Sequence, residues 1–184
     1  LRASTAEGEI SPTEAVRTAL RLGDGALVLG EIRGEEAQAL YEAMRVGANS
    51  EAVLGTVHGD GAPAIYDRVV DDLGVPAASF GVTDAVITLE RTADGTRQVR
   101  TIEEVVDGNS ASFEPLFVRE GTDLAPTGRL DRGNASLLAT LSQPGETYAA
   151  VREQVSERTA AMEQRVQSGQ TGLDAAIPAS VEFG

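Results

Sequence analysis

Several residue types that often build functional sites are absent from this 184-residue sequence, and others are scarce. Cysteine is absent, which excludes disulfide bonds and thiolate metal centres. Tryptophan is also absent and aromatic residues make up only 4% of the chain, so no aromatic platform for stacking a base can be named. No apolar run approaches the length that crosses a bilayer.

Lysine is absent as well, and every one of the 15 basic residues is arginine. Against 29 acidic residues this leaves a formal net charge of -14, without the arginine-rich stripe that nucleic-acid binding requires. We therefore expect no nucleic-acid partner. Such an acidic composition is typical of a high-salt cytoplasm, where screening reduces self-repulsion. A GC-rich genome that favours arginine codons also explains the missing lysine, but it does not explain the acidity.

A short apolar run, residues 26–29, ends abruptly on Gly30 and Glu31. The run predicts a strand buried on both faces, as in parallel sheets that helices cover. Ligands bind beyond the carboxyl ends of such strands, so Glu31 is a candidate functional carboxylate. Gly30 would let a ligand or a neighbouring backbone approach closely. The alternative is that Glu31 is a solvated strand end.

The only histidine, His58, follows a second apolar run at residues 52–57. Between the runs, residues 35–47 have apolar side chains at helical spacing and end on a glycine, which predicts a crossover helix. A strand, helix and strand in this order make the two strands parallel, so Glu31 and His58 should face one site. A structural histidine is one alternative, and a metal site of Glu31, His58 and Asp60 in an unrelated hydrolase is another.

The remaining pattern predicts helices, then an antiparallel meander, then helices again. Ser11 and Pro12 predict a helix start, and Asp94-Gly95 predicts a hairpin turn. We expect a core with its meander in residues 1–120, a helical region in 121–167 and a flexible tail in 168–184. Three acidic doublets are expected to be solvated. They are Glu35-Glu36, Asp71-Asp72 and Glu103-Glu104.

The motifs Gly-Glu-Ile-Arg-Gly at 30–34 and Thr-Val-His-Gly-Asp at 56–60 together resemble those of the type II/type IV secretion ATPases. The resemblance spans residues 11–118, and the segments 39–48 and 67–76 are similar to the haloarchaeal subgroup. It implies an α/β fold, the C-terminal half of a RecA-like P-loop NTPase domain. That fold would have a parallel βαβ core, an antiparallel meander at the edge of its sheet, and C-terminal helices.

The resemblance also implies roles for individual residues. Glu31 ends the Walker B strand, orients or activates the attacking water, and supports Mg²⁺ through water. His58 lies in the histidine box, near the γ-phosphate. Arg33 links the nucleotide site to its surroundings, Asp24 orders the turn before the strand, and Arg2 matches an arginine upstream. With Gly30, these last three are the candidate cofactor-binding residues.

By the same resemblance, the intact protein hydrolyses ATP with Mg²⁺ to power assembly of a pilus, an archaellum or a secretion system. Its expected partners are further copies of itself, in a hexamer, and a polytopic membrane platform protein. It would be cytoplasmic and peripheral at the inner face of the cell membrane. A phosphate-binding loop needs a lysine, so this loop is expected upstream of Leu1 or is missing. The alternative is a truncated, non-catalytic paralogue that acts as an interaction module in a motor ring.

Overall fold

The computed structural model describes residues 10–21, 26–45, 52–107 and 112–171. Arg2, Asp24 and the end of the tail predicted to be flexible lie outside the described residues. The chain divides into two compact units, residues 1–129 and 130–184. The helices and strands of the first unit are α1 (Pro12–Arg21), β1 (Ala26–Leu29), α2 (Glu36–Arg45), β2 (Ala52–Gly55), α3 (Ala62–Asp67), a π-helical segment (Arg68–Asp72), α4 (Ala77–Phe80), β3 (Ala85–Arg91), β4 (Arg97–Asp107), β5 (Ser112–Glu120) and β6 (Asp123–Pro126).

The first part of this unit contains the predicted strand, helix and strand. Strands β1 and β2 pair in parallel, in a register that places Val28 opposite Leu54, and α2 lies between them in the chain. Helix α1 begins at the predicted point, where the backbone N–H of Glu14 donates to Ser11 Oγ over 3.2 Å. This contact satisfies one of the backbone donors that every helix start leaves unpaired.

The second part is an antiparallel sheet with the strand order β3-β4-β5-β6. Its first hairpin turns at Asp94 and Gly95 as predicted, and Gly95 adopts a φ of 87° that favours glycine. Strand β6 pairs with β5, so the sheet continues past residue 120, where the sequence places the start of a helical region. The meander is therefore a complete sheet of its own.

The RecA-like fold predicted from the resemblance is wrong for the described residues. They form a two-stranded parallel sheet and a separate four-stranded antiparallel sheet, which together make a mixed α/β unit. The meander is not the edge of a parallel sheet, because β3 pairs with β4 and with no strand of the other sheet. Strand β1 is also not buried on both faces, since Val28 is 66% exposed. Among the described residues, nothing covers that face of the β1–β2 sheet.

The core of the first unit gathers four of the seven aromatic residues of the chain in a cluster centred on Phe80, which is fully buried. Tyr41 stacks on its ring with 5.9 Å between ring centroids, while Tyr66 and Phe113 meet it edge to face at 5.1 and 6.3 Å. Such pairs stabilise a core beyond the area they bury. The cluster joins α2, α3, α4 and β5, and so fixes the helix that follows β1.

The second unit contains α5 (Ser136–Leu141) and α6 (Tyr148–Gln167). Both helices fall within residues 121–167, the helical region that the sequence predicts. Thr147 caps α6, because its side chain accepts the backbone N–H of Ala150 over 3.2 Å. Within the described parts of the chain, no helix is both long and apolar enough to pass through a membrane.

Candidate functional site

Glu31 and His58 lie just beyond the carboxyl ends of the two paired strands. Because β1 and β2 are parallel and in register, these ends fall at the same edge of the sheet. His58 Nε2 lies 3.7 Å from Glu31 Oε1. The side chains are 86% and 43% exposed, so both are accessible to a ligand. The structure thus brings together the two residues that the sequence predicts at one site, while their roles stay predictions.

Thr56 joins the two strand ends, a role that the sequence pattern does not predict. The backbone N–H of Ile32 donates to the carbonyl oxygen of Thr56 over 2.8 Å, and the Thr56 hydroxyl donates to the carbonyl oxygen of Gly30 over 2.5 Å. These bonds extend the pairing of β1 and β2 on both sides of Glu31. The only signal for this role in the sequence is a hydroxyl residue shortly before His58, within the run 52–57 that predicts a strand.

Glu36 holds the loop that follows Glu31. Its carboxylate accepts the backbone N–H groups of Arg33 over 2.8 Å and of Gly34 over 2.9 Å, and the residue is only 7% exposed. Burial raises the pKa of Glu36, but these N–H groups and its own lower it by more, and the positive charge of Arg33 adds to the lowering. The net pKa lies below the ordinary value of 4.5. The prediction that this acidic doublet is solvated is therefore wrong at Glu36.

We expect Glu36→Gln to lower the free energy of unfolding by about 1.5–3 kcal/mol at neutral pH, the range for hydrogen bonds to charged groups. Because the folded-state pKa is lowered, the stabilisation is present above pH 4.5 and is lost as the pH falls through the folded-state pKa. We expect urea unfolding of the unaltered chain and of Glu36→Gln, measured from pH 7 to pH 3, to show that the difference between their free energies of unfolding becomes smaller in acid. Glu35→Gln, in the exposed neighbour, is the matched control. A difference that stays constant with pH would contradict this role.

Arg33 and Gly30 lie beside the site, but neither makes a close contact that would indicate its predicted role. An Arg33 guanidinium nitrogen is 3.9 Å from Glu31 Oε2, and the side chain is 68% exposed, so this ion pair adds little stability. No heavy atom lies within 4 Å of the point where a Cβ on Gly30 would stand. The space beside Gly30 is therefore open to a ligand. Asp24 and Arg2, the other two candidate cofactor-binding residues, lie outside the described residues.

Asp60 does not join Glu31 and His58. Its carboxylate forms an ion pair with Arg100 of β4 over 2.5 Å. In the described ranges, no group of three or more histidine, aspartate or glutamate side chains is placed to hold a metal ion. The metal site of Glu31, His58 and Asp60 is therefore not formed in this structure. Glu31 alone keeps a half-exposed carboxylate that accepts no hydrogen bond from a described residue, which fits contact with Mg²⁺ through a water molecule.

Glu31 and His58 line a cleft of about 600 Å³ in the first unit. All of β3 and most of β2 line it, and each of these strands has a free edge within its own sheet. Its apolar walls include Leu54 and Leu89, which are 59% and 61% exposed. The cleft therefore joins two ionisable side chains to a large apolar surface, a combination typical of ligand sites.

No family model matches the chain. An uncharacterized protein of Methanocaldococcus jannaschii, MJ1287, is 28% identical to it over 105 residues. The alignment covers 55% of this chain and 38% of the relative, so the chain spans about two fifths of the length of that protein. This similarity to an archaeal protein assigns no activity.

Proposed function

We propose that this chain carries the hydrolytic residues of a secretion-type ATPase, with Glu31 and His58 at its reacting end. The observation that supports the proposal is their contact, with 3.7 Å between Glu31 Oε1 and His58 Nε2, beyond the ends of two parallel strands. The resemblance of residues 30–34 and 56–60 to the two motifs of that family indicates that the reaction is ATP hydrolysis. The proposal concerns these residues and their chemistry, and it does not depend on a RecA-like fold.

In this mechanism Glu31 acts on the attacking water. A half-exposed carboxylate without a hydrogen-bond donor can accept a proton or orient a water molecule in line with the γ-phosphate. Thr56 and Glu36 hold the backbone on either side of it, so that its position is fixed before the nucleotide binds. When Mg²⁺ is bound, it neutralises charge on the phosphate oxygens. His58, 86% exposed, is free to donate a hydrogen bond to the phosphate end of the nucleotide.

A phosphate-binding loop of the Walker A type would have to be supplied by residues outside this sequence. A phosphate-binding loop of the Walker A type uses a lysine, and this chain has none. ATP and Mg²⁺ are therefore the proposed cofactors of a larger assembly that includes this chain. We propose a homo-oligomer, hexameric when intact, at the inner face of the cell membrane. There it would act on a polytopic platform protein of a pilus, archaellum or secretion system.

The proposal is tested by phosphate release from the complete protein, in which this chain is combined with a phosphate-binding loop. We expect His58→Ala to reduce the rate of ATP hydrolysis about 100-fold, the scale for losing one donor to developing charge. Arg45→Gln, at an exposed cation of α2, is the control and should leave the rate unchanged. A His58→Ala protein that hydrolyses ATP at the normal rate would remove His58 from the mechanism.

The absence of lysine also favours a second function, a non-catalytic module in a motor ring. This chain would then bind a motor subunit through surfaces that do not include Glu31 or His58. Co-purification with that subunit should survive when both residues are replaced by alanine. If the double variant binds normally and the complete protein releases no phosphate, the module describes the chain better than the ATPase does.

A further inference from the structure

Two arginines stand directly opposite each other at the end of the β3–β4 hairpin. Arg91, the last residue of β3, pairs with Arg97, the first residue of β4. Side chains of directly opposed residues share one face of an antiparallel sheet, and like charges at such positions are destabilising. Both side chains are exposed. In a chain with a net charge of -14, this unfavourable arrangement calls for an explanation.

The carboxylates nearest in sequence do not neutralise this pair. Glu90 alternates to the other face of β3 and accepts a hydrogen bond from Gln98 Nε2 over 2.7 Å. Asp94, in the turn, accepts hydrogen bonds from the Thr92 hydroxyl and from the N–H and hydroxyl of Thr96. Within the described part of the chain, neither arginine has an ion pair or a side-chain hydrogen bond. Ten guanidinium N–H groups are thus free to bind an anion.

The arginine pair lines the same cleft as Glu31 and His58. Ile87 and Leu89 also line this cleft; they alternate with Arg91 on one face of β3 and are 57% and 61% exposed. An apolar wall that ends in two guanidinium groups suits a ligand with a flat apolar part and a phosphate tail. Arginine is the preferred partner of phosphate because its planar fork donates two hydrogen bonds at once.

We infer that Arg91 and Arg97 form a phosphate-binding pair, which takes the phosphate chain of a nucleoside polyphosphate bound in this cleft. The nucleotide as ligand rests on the proposed function, whereas the phosphate-binding pair rests on the charges and contacts of the hairpin. The pair supplies part of the positive charge that a lysine would otherwise bring to the phosphates. It also gives a reason for placing two like charges opposite each other.

The test uses inorganic tripolyphosphate as the probe, with this chain as it stands, by isothermal titration calorimetry with and without Mg²⁺. We expect Arg91→Gln and Arg97→Gln each to weaken binding about tenfold, the scale of one charge-assisted hydrogen bond. Arg17→Gln is the matched control, since it removes an equally exposed arginine of α1. Arg91→Lys keeps the positive charge but loses the planar guanidinium group that donates two hydrogen bonds at once. Its affinity for tripolyphosphate should therefore fall between that of the unaltered chain and that of Arg91→Gln.

A thermal measurement separates ligand binding from a structural role. Without the probe, Arg97→Gln should melt at the same temperature as the unaltered chain or higher, because it removes a like-charge contact. With the probe, the unaltered chain and Arg17→Gln should be stabilised more than Arg91→Gln and Arg97→Gln. Equal affinity of all variants for tripolyphosphate would overturn the inference. Glu31→Gln should still bind tripolyphosphate, because Glu31 is not part of the arginine pair. If this variant in the complete protein continued to hydrolyse ATP, the proposed function would be overturned, but the phosphate-binding pair would still stand.

Discussion

Replacing Glu31 by glutamine in the complete protein should reduce ATP hydrolysis by about 10²–10⁴-fold, the contribution of a positioned general base. Glutamine keeps the size of the side chain and can still accept a hydrogen bond, but it cannot take a proton. Nucleotide binding should survive, because Glu31 contacts the water rather than the phosphates in the proposed mechanism. Phosphate release under saturating ATP and equilibrium binding of ATP measure the two effects separately.

The control for this variant is Asp72→Asn, which also removes one negative charge. Asp72 is exposed and lies 3.8 Å from Arg68 in an ion pair within the π-helical segment, away from the cleft. It should change neither binding nor turnover. Near-normal turnover of Glu31→Gln would refute the role of the carboxylate, even if His58→Ala is inactive.

The parts of this fold that the sequence predicts correctly depend on neighbours in the chain. Ser11 and Pro12 start α1, and Asp94-Gly95 turns the first hairpin, because caps and turns are formed by residues a few positions apart. The contact of Glu31 with His58 was predictable for a related reason. A single crossover helix makes the strands parallel, and their ends then meet.

The arrangement of the sheets could not be predicted in the same way. Whether β3 joins the parallel sheet depends on residues far apart in sequence, and the alternation along residues 85–91 is the same in either arrangement. The resemblance favours one continuous sheet, whereas the described residues form two. The free edges of β2 and β3 that follow from this result line the cleft beside the candidate site.

Which acidic residues are buried is also difficult to predict from the local sequence. The doublet Asp71-Asp72 is exposed, as its charge predicts. Glu36 and Glu104 also belong to acidic doublets but are buried. Backbone N–H groups of the loop just before it bind Glu36, and an arginine from another part of the fold binds Glu104. The neighbour of Glu104 also has a specific partner, since Glu103 accepts the backbone N–H of Ala62 at the start of α3 over 3.1 Å. The contacts of Glu103 and Glu104 join elements that are far apart in the chain, so a local pattern cannot reveal them.

The largest effect on stability is expected at Glu104, whose side chain is fully buried on β4. Arg129 donates to its Oε1 from Nε over 3.3 Å and from a terminal nitrogen over 3.1 Å, and reaches Glu114 with another nitrogen over 3.2 Å. Arg129→Met should lower the free energy of unfolding by about 3–5 kcal/mol, because it leaves a buried charge without this partner. Urea unfolding followed by circular dichroism measures the change without requiring tryptophan.

A second variant separates the buried charge from simple loss of packing. Combining Arg129→Met with Glu104→Leu removes both charges, and we expect it to recover most of the lost stability, because buried ion pairs are often replaceable by apolar side chains. Arg152→Met is the control, since Arg152 pairs with exposed Asp131 over 3.7 Å and should contribute about 0–1 kcal/mol. If the double variant is no more stable than Arg129→Met, the contribution of Arg129 lies in packing, and the sheet does not depend on neutralising Glu104.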